Sequence, residues 1–376
     1  MAEERPLSSN LPAFPAQPGS RRLHRFARFV VACTVVLVLA GSLVTSTDSG
    51  LAVPDWPTSY GWSMFTFPPA MWVGGIFYEH GHRLIASGVG FLTIVLAIWL
   101  WLADPRHWLK RLGAIALATV ILQGVLGGLT VLFFLPASIS TAHAGLAELF
   151  FCITVAIAVF SSPGWLSGMT RVDDATLRRA ALATTILIYL QILVGATMRH
   201  SGAGLAIPDF PLMFGGIIPD HWDSKIAVHF AHRVGALVVT LAIVGTAARV
   251  WLGHRQQREL IGPATLLATL VAVQIVLGAF TVWSRRAVWI NSAHVVSGAL
   301  VLATSLVLTL RSWRVKFATD TVRLPPSASL VEAFGKGGKP DTTSDLRTVR
   351  LPPSPEALAD RRSFSGSGQA DQRAGA

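Results

Sequence analysis

Of the eleven histidines in this chain, His82, His143, His232 and His294 recur at matched places, each near the start of a long apolar run. The partners within each half are similarly spaced, with 143 − 82 = 61 and 294 − 232 = 62 residues. An imidazole among apolar residues is costly unless it is hydrogen-bonded or ligated. Two facing imidazoles, with no CxxC pair and no carboxylate cluster at hand, suit axial ligation of haem iron, whereas zinc prefers three or four ligands. Hydrogen-bonded structural histidines and other metals are the alternatives. Glu79 lies three residues before His82 and so shares its helix face, but the equivalent residue in the second half is His229. A carboxylate beside only one pair can move a proton or stabilise positive charge. The plainer reading is an ion pair with Arg83, four residues on. Arg233 persists where the acid is gone, so the arginine has a further partner, and haem propionates are expected at Arg83, Arg233, Arg285 and Arg286.

The elements that must hold these side chains are membrane helices. The chain has 376 residues, of which 52% are hydrophobic and only 14% charged, well below the charge content of a soluble domain. Runs long enough to cross a bilayer fall at about 27–47, 80–103, 110–134, 140–160, 178–198, 226–251, 260–283 and 289–312. The net charge of +11 does not indicate nucleic acid, because the basic residues gather at alternate helix ends, the positive-inside pattern. Arg21, Arg22, Arg25 and Arg28 precede the first run, and Arg106, Lys110 and Arg111 follow the second. Both termini are therefore expected in the cytoplasm, with loops 48–79 and 199–225 outside. Arg285 and Arg286 break that pattern on the outer side.

The chain also repeats itself. GLAVPDWP at 50–57 matches GLAIPDFP at 204–211, EHGHR at 79–83 matches HFAHR at 229–233, and QGVLGGLTV at 123–131 matches QIVLGAFTV at 274–282. With AHAG at 142–145 and AHVV at 293–296, the offsets are 154, 150, 151 and 151. An even number of helices per repeat keeps both halves in one orientation. The expected fold is an all-α integral membrane protein: two duplicated four-helix bundles related by a pseudo-two-fold axis along the membrane normal. The expected organisation is a cytoplasmic segment 1–26, a bundle 27–160, a linker 161–177, a second bundle 178–312 and a disordered tail 313–376 with little to bury. Glycines in the QGVLGGLT block are expected to let helix backbones approach. The repeated PDWP and PDFP turns are expected to cap the bundles, with Asp55 and Asp209 in structural roles. Cys33 and Cys152 read as small apolar residues.

On these motifs, over roughly residues 27–312, the chain resembles the haem A synthase family. The resemblance rests on the duplicated eight-helix plan, the GLAVPDWP block, the ExxHR motif at Glu79, His82 and Arg83, and the other three histidines in register. It implies that His82 and His143 frame the substrate haem O, that Glu79 is the essential acid, and that His232 and His294 ligate a haem b cofactor. It implies oxidation of a porphyrin methyl group to a formyl group for cytochrome oxidase, haem O synthase as supplier, a separate electron-transfer partner, and a place in the bacterial plasma membrane. Loop 48–79 has no cysteine, which matches the cysteine-free class of the family.

Two other functions fit part of the pattern. A di-haem b-type electron carrier would use the same bundles, but has no need of an acid at one site only and would tend to place haems on both sides of the membrane. A transporter would use the duplication, yet the runs read as unbroken and poor in the ionisable residues that mark an ion path.

Overall fold

Apolar segments of 24–30 residues can satisfy every backbone N–H and C=O in lipid only by coiling into helices. The structure, a computed structural model, describes residues 18–166 and 172–314. Eight of its helices are long and apolar enough to cross a membrane: α1 (Pro18–Ser46), α2 (Gly75–Ala103), α3 (His107–Leu132), α4 (Ala137–Phe160), α6 (Ala175–His200), α7 (Ser224–Gly253), α8 (Arg258–Trp283) and α9 (Val288–Ser312). A single-turn helix, α5 (Pro163–Leu166), follows α4. Among the described residues there are no strands, only the isolated bridges Ser59 to Trp62 and Met213 to Gly216. The tail expected to be disordered lies, from residue 315 on, outside the described residues.

Several helices outrun their apolar cores. α1 starts at Pro18 instead of near residue 27, and α2 at Gly75 instead of 80. Hydropathy marks the stretch that crosses lipid, while the helix continues wherever one face still has something to pack on. Leu23 and Ala27 are buried at four-residue spacing while Arg21, Arg22, Arg25 and Arg28 point outward, so charge and helix coexist.

α1 packs on α2, α2 on α3, α3 on α4 and α4 back on α1; α6, α7, α8 and α9 close in the same order. Contacts between the two groups run through α1 with α9, α4 with α6, and α4 with α9. The buried apolar residues follow suit. One cluster, including Leu96, Leu100, Leu109 and Ile157, belongs to the first group, and another, including Ile243, Leu260, Leu267 and Leu302, to the second. A third joins Phe151 and Val155 of α4 to Ala299 and Ala303 of α9. These two helices are the central ones: 56% of each apolar stretch is buried, against 17–28% in the other six. The outer six helices present their remaining apolar surface to lipid, so association rests on close packing and on polar contacts.

α2, α4, α7 and α9 all begin at one end of the bundle. His82, His143, His232 and His294 lie 7, 6, 8 and 6 residues into them, from 82 − 75, 143 − 137, 232 − 224 and 294 − 288. At 1.5 Å per residue this is one layer about 9–12 Å below the helix starts.

Candidate functional site

Each of the four imidazoles rests on a glycine of the helix that precedes its own. A Cβ at Gly41 of α1 would lie 3.0 Å from His82 Cε1; at Gly127 of α3, 3.2 Å from His143 Cε1; at Gly195 of α6, 2.9 Å from His232 Cε1; and at Gly278 of α8, 3.2 Å from His294 Cε1. Gly41 and Gly195 are repeat equivalents, as are Gly127 and Gly278. This changes the reading of the QGVLGGLT block. Gly127 makes room for a histidine ring, and a Cβ at the adjacent Gly128 would strike the Trp56 indole; Gly124 faces open space.

Histidines from helices that face each other diagonally across each group, α2 with α4 and α7 with α9, come together in pairs. The ring centroids of His232 and His294 are 6.5 Å apart at an interplanar angle of 72°, and His143 lies within electrostatic range of His82. All four rings are only half-buried, yet Nδ1 of His82, His143 and His294 is buried without a hydrogen-bond partner. Among the described residues no three His, Cys, Asp or Glu side chains converge as a metal-ion site, so the donors come in twos. The spacing fits a metal held between two imidazoles. With metal–nitrogen bonds of about 2.0–2.1 Å and a centroid about 1.1 Å behind each nitrogen, the centroids would stand about 6.3 Å apart. That is within 0.2 Å of the 6.5 Å observed for His232 and His294.

Glutamines fix the histidine-bearing turns. Gln123 Nε2 donates to the His143 carbonyl at 2.9 Å, and its repeat equivalent Gln274 places Nε2 3.4 Å from His294 Nε2. Gln191 of α6 donates to the His232 carbonyl at 2.7 Å and sits 3.0 Å from His232 Nδ1. Its counterpart in α1 is Leu37, so His82 has no such partner. Gln123 and Gln274 open the two repeated blocks, and that register could have singled them out; Gln191 carries no such signal.

The loops that follow α1 and α6 fold alike and are clamped onto the helices that bear His82 and His232. Arg83 donates to the carbonyls of Val53 (2.8 Å), Asp55 (2.7 Å) and Thr58 (3.0 Å). Arg233 donates to those of Ile207 (3.1 Å), Asp209 (2.6 Å) and Leu212 (2.9 Å), the residues at the same places in the second repeat. Where the acid is lost, Arg233 thus keeps the loop backbone as a partner. Glu79 takes part in the same clamp: Oε1 accepts from Arg83 at 2.6 Å, and Oε2 accepts from the Val53 N–H at 2.8 Å. In the second half His229 Nδ1 accepts from the Ile207 N–H at 3.2 Å. Glu79 and His229 are both buried. The ion pair and the acid are one feature here, because the carboxylate that could move a proton is also what ties helix to cap.

Asp55 and Asp209 build the turns within the caps, as expected. Asp55 accepts from the N–H groups of Tyr60 (2.7 Å) and Gly61 (2.9 Å) and from the Thr58 hydroxyl (2.5 Å); Asp209 accepts from those of Phe214 and Gly215, both at 2.8 Å. Partial burial of Asp55 acts to raise its pKa, but the bonds from Gly61, Thr58 and Tyr60 outweigh it and hold the carboxyl below its ordinary value. Arg285 is exposed, and Arg286 reaches Asp48 only at 3.9 Å.

Two further ionisable groups take places that the sequence assigned to no site. Glu148 on α4 is 5% exposed, with Oε2 unpartnered, so the helix interior is not free of ionisable residues as the hydropathy suggested. Arg199, near the end of α6, donates to the Ser42 carbonyl and the Ser46 hydroxyl of α1, both at 2.8 Å. Glu148 falls inside the apolar run 140–160 and Arg199 just past the run 178–198; their repeat equivalents, Ala299 and Thr45, are uncharged, and periodicity gave no signal.

Fold and site together define a multi-pass helical membrane protein with two pairs of histidines in one layer. Residues 24–306 match the family model described as "Cytochrome oxidase assembly protein", COX15-CtaA, and the chain belongs to that family. It is 31% identical over 262 residues to the Heme A synthase of Symbiobacterium thermophilum, covering 66% of this chain and 83% of that protein. It is 26% identical over 303 residues to the Heme A synthase of Geobacillus kaustophilus (78% and 93%), and 28% identical over 291 residues to that of Halalkalibacterium halodurans (76% and 95%).

Proposed function

We propose that this chain is a haem A synthase, an enzyme that oxidises one methyl group of haem O to a formyl group, and that it belongs to the cysteine-free class. The observation that carries the assignment of roles is the asymmetry at one position: of two histidine pairs in one layer, only the first stands beside a carboxylate, Glu79, where the second has His229. In this reading His82 and His143 hold the substrate haem, and His232 and His294 hold a haem b cofactor. The matching helix order in the two groups supports two bundles related by a pseudo-two-fold axis along the membrane normal.

Bound haem supplies the redox chemistry. The chain's own groups orient, exclude water and handle protons. Conversion of CH3 to CHO withdraws four electrons with the net entry of one oxygen, and protons must leave the site. Glu79 is the group placed to take one, and it is held in place by the hydrogen bonds it accepts from Arg83 and from the Val53 N–H. The clamped caps keep the layer dry. Haem O synthase supplies the substrate, a separate electron-transfer partner serves the redox steps, and the chain sits in the bacterial plasma membrane with both termini in the cytoplasm.

The test is to express the chain with a haem O synthase in cells that lack haem A, and to separate the extracted haems with mass detection. Haem A should form with the wild type. Glu79→Gln, which can still accept from the Val53 N–H, should retain haem and form at least about a hundredfold less haem A, the scale of a lost general acid or base. Haem A at the wild-type level in that variant would reduce Glu79 to a loop anchor, and a wild-type chain that holds haem without forming haem A would sink the reading altogether.

A further inference from the structure

Arg83 and Arg233 spend their guanidinium groups on loop carbonyls, which leaves the question of what meets the carboxylates of a porphyrin. The answer lies where the two helix groups touch. Arg199 reaches from α6 across to α1, where one guanidinium nitrogen bonds the Ser42 carbonyl and the Ser46 hydroxyl. Ser46 is held in turn by Asn291 Nδ2 at 3.1 Å and the Ser292 hydroxyl at 3.0 Å, both from α9. Arg199 Nε is buried without a partner. The guanidinium is also within electrostatic range of His294 and of Arg286. Among the described residues the acid in range is Asp48, whose side chain is 86% exposed and stands 3.9 Å from Arg286.

Two cations in electrostatic range of each other, one of them also in range of His294, have Asp48 as their acid in range and offer a place for a further anion. A guanidinium with a free donor suits a carboxylate above other anions of comparable size, because its fork matches the two oxygens. Burial strengthens the preference, since an uncompensated charge in a low-dielectric setting is costly.

We propose that Arg199, backed by Arg286, binds a propionate carboxylate of the porphyrin held by His232 and His294. The site rests on the haem reading of those histidines. Its geometry is particular to the second half, because the equivalent of Arg199 in the first repeat is Thr45. The cofactor haem is therefore held by two imidazoles and a buried cation, and the substrate haem without that cation, which suits one haem that stays and one that leaves.

The experiment is a titration of the full-length chain in detergent, prepared from haem-depleted cells, with haem b and with haem b dimethyl ester, whose carboxylates are masked. The wild type should bind the diacid about tenfold or more tightly than the ester, the scale of one charge-assisted hydrogen bond. Arg199→Gln, which can still donate to Ser42, should bind both porphyrins alike while keeping the wild-type affinity for the ester, which also shows that it is folded. The same preference in Arg199→Gln as in the wild type, or none in the wild type, overturns the site. Should Arg199→Gln fail to bind the ester, Arg286→Gln, changed at a partly exposed residue, decides: a reduced preference supports the site and an unchanged one refutes it. A wild-type chain that yields a six-coordinate low-spin spectrum with neither porphyrin refutes the haem reading itself, and the proposal with it.

Discussion

Replacing Gly195 with alanine tests whether the histidines are placed by the glycines beneath them. The new Cβ would stand 2.9 Å from His232 Cε1 and 3.2 Å from Nδ1, where ordinary contact begins at 3.4 Å. The ring must therefore retreat by about half an ångström, the limit within which a ligand constellation still functions, or the helices must part. Overpacking of this kind costs about 1–3 kcal/mol. Charged to the ligated state, that is a loss of about 5- to 150-fold in haem affinity. Helix propensity runs the other way, since alanine is about 0.5–1 kcal/mol better than glycine inside a helix, so a loss cannot be put down to a weakened α6. The control is Gly245→Ala on α7, where a Cβ meets nothing within 4 Å. On the proposed haem reading, the assay is the haem b content of the purified chain and its reduced-minus-oxidised spectrum in the low-spin haem region. Full haem occupancy and an unchanged spectrum in Gly195→Ala, or an equal loss in Gly245→Ala, would refute the reasoning.

Arg233→Gln removes three bonds to loop carbonyls and should cost about 2 kcal/mol or more of local stability. Hydrogen exchange should rise across residues 204–216 and stay level across 50–62; a uniform rise would point to general unfolding. Asp55 should give the first cap an acid-sensitive step. Its folded pKa lies below the ordinary value, so its contribution is whole above the unfolded pKa of about 3.9 and is lost as pH falls through the lower folded value. Protection factors across 55–62, which take out the slower intrinsic exchange in acid, should therefore fall as pH drops below the unfolded pKa of about 3.9 in the wild type, and Asp55→Asn should lack that step. At the opposite end, Asp174 caps α6 by accepting from the Leu177 N–H at 2.9 Å and also meets Arg249 and His254. Asp174→Ala should lower stability by about 1 kcal/mol in thermal unfolding, while Asp173→Ala, at a 91% exposed side chain, should change little.

The helices were legible because lipid leaves the backbone so few options, and the histidine layer because duplication printed it twice. Blocks in register at offsets near 151 carried His82, His143, His232 and His294 into one plane before any coordinates were needed. Helix starts were misplaced by up to nine residues, as at α1, since hydropathy reports the crossing stretch and says nothing of a helix that continues on one packed face. What pairs with Arg233 could not be read either: its partners are loop carbonyls, and a backbone oxygen leaves no mark on residue type. Gly195 beneath His232 was hidden for a similar reason, since a missing side chain looks alike whether a backbone or an imidazole fills the space.

The repeat is most informative where it fails. The shared parts are those that place a histidine and fasten a cap: Gly41 with Gly195, Gly127 with Gly278, Gln123 with Gln274, and Arg83 with Arg233. The parts that differ change charge or hydrogen bonding near the layer: Glu79 against His229, Leu37 against Gln191, Thr45 against Arg199. In the second half each substitution adds a group that can hold something in place, a glutamine on His232 and a cation within range of His294. In the first, what is gained is a carboxylate that can exchange a proton. A duplicated scaffold whose differences divide in this way is suited to one site that retains its ligand and one that transforms it. Exchanging Gln191 for leucine and Leu37 for glutamine should therefore shift haem retention from the second site toward the first, whereas an unchanged distribution would mean that the division lies elsewhere.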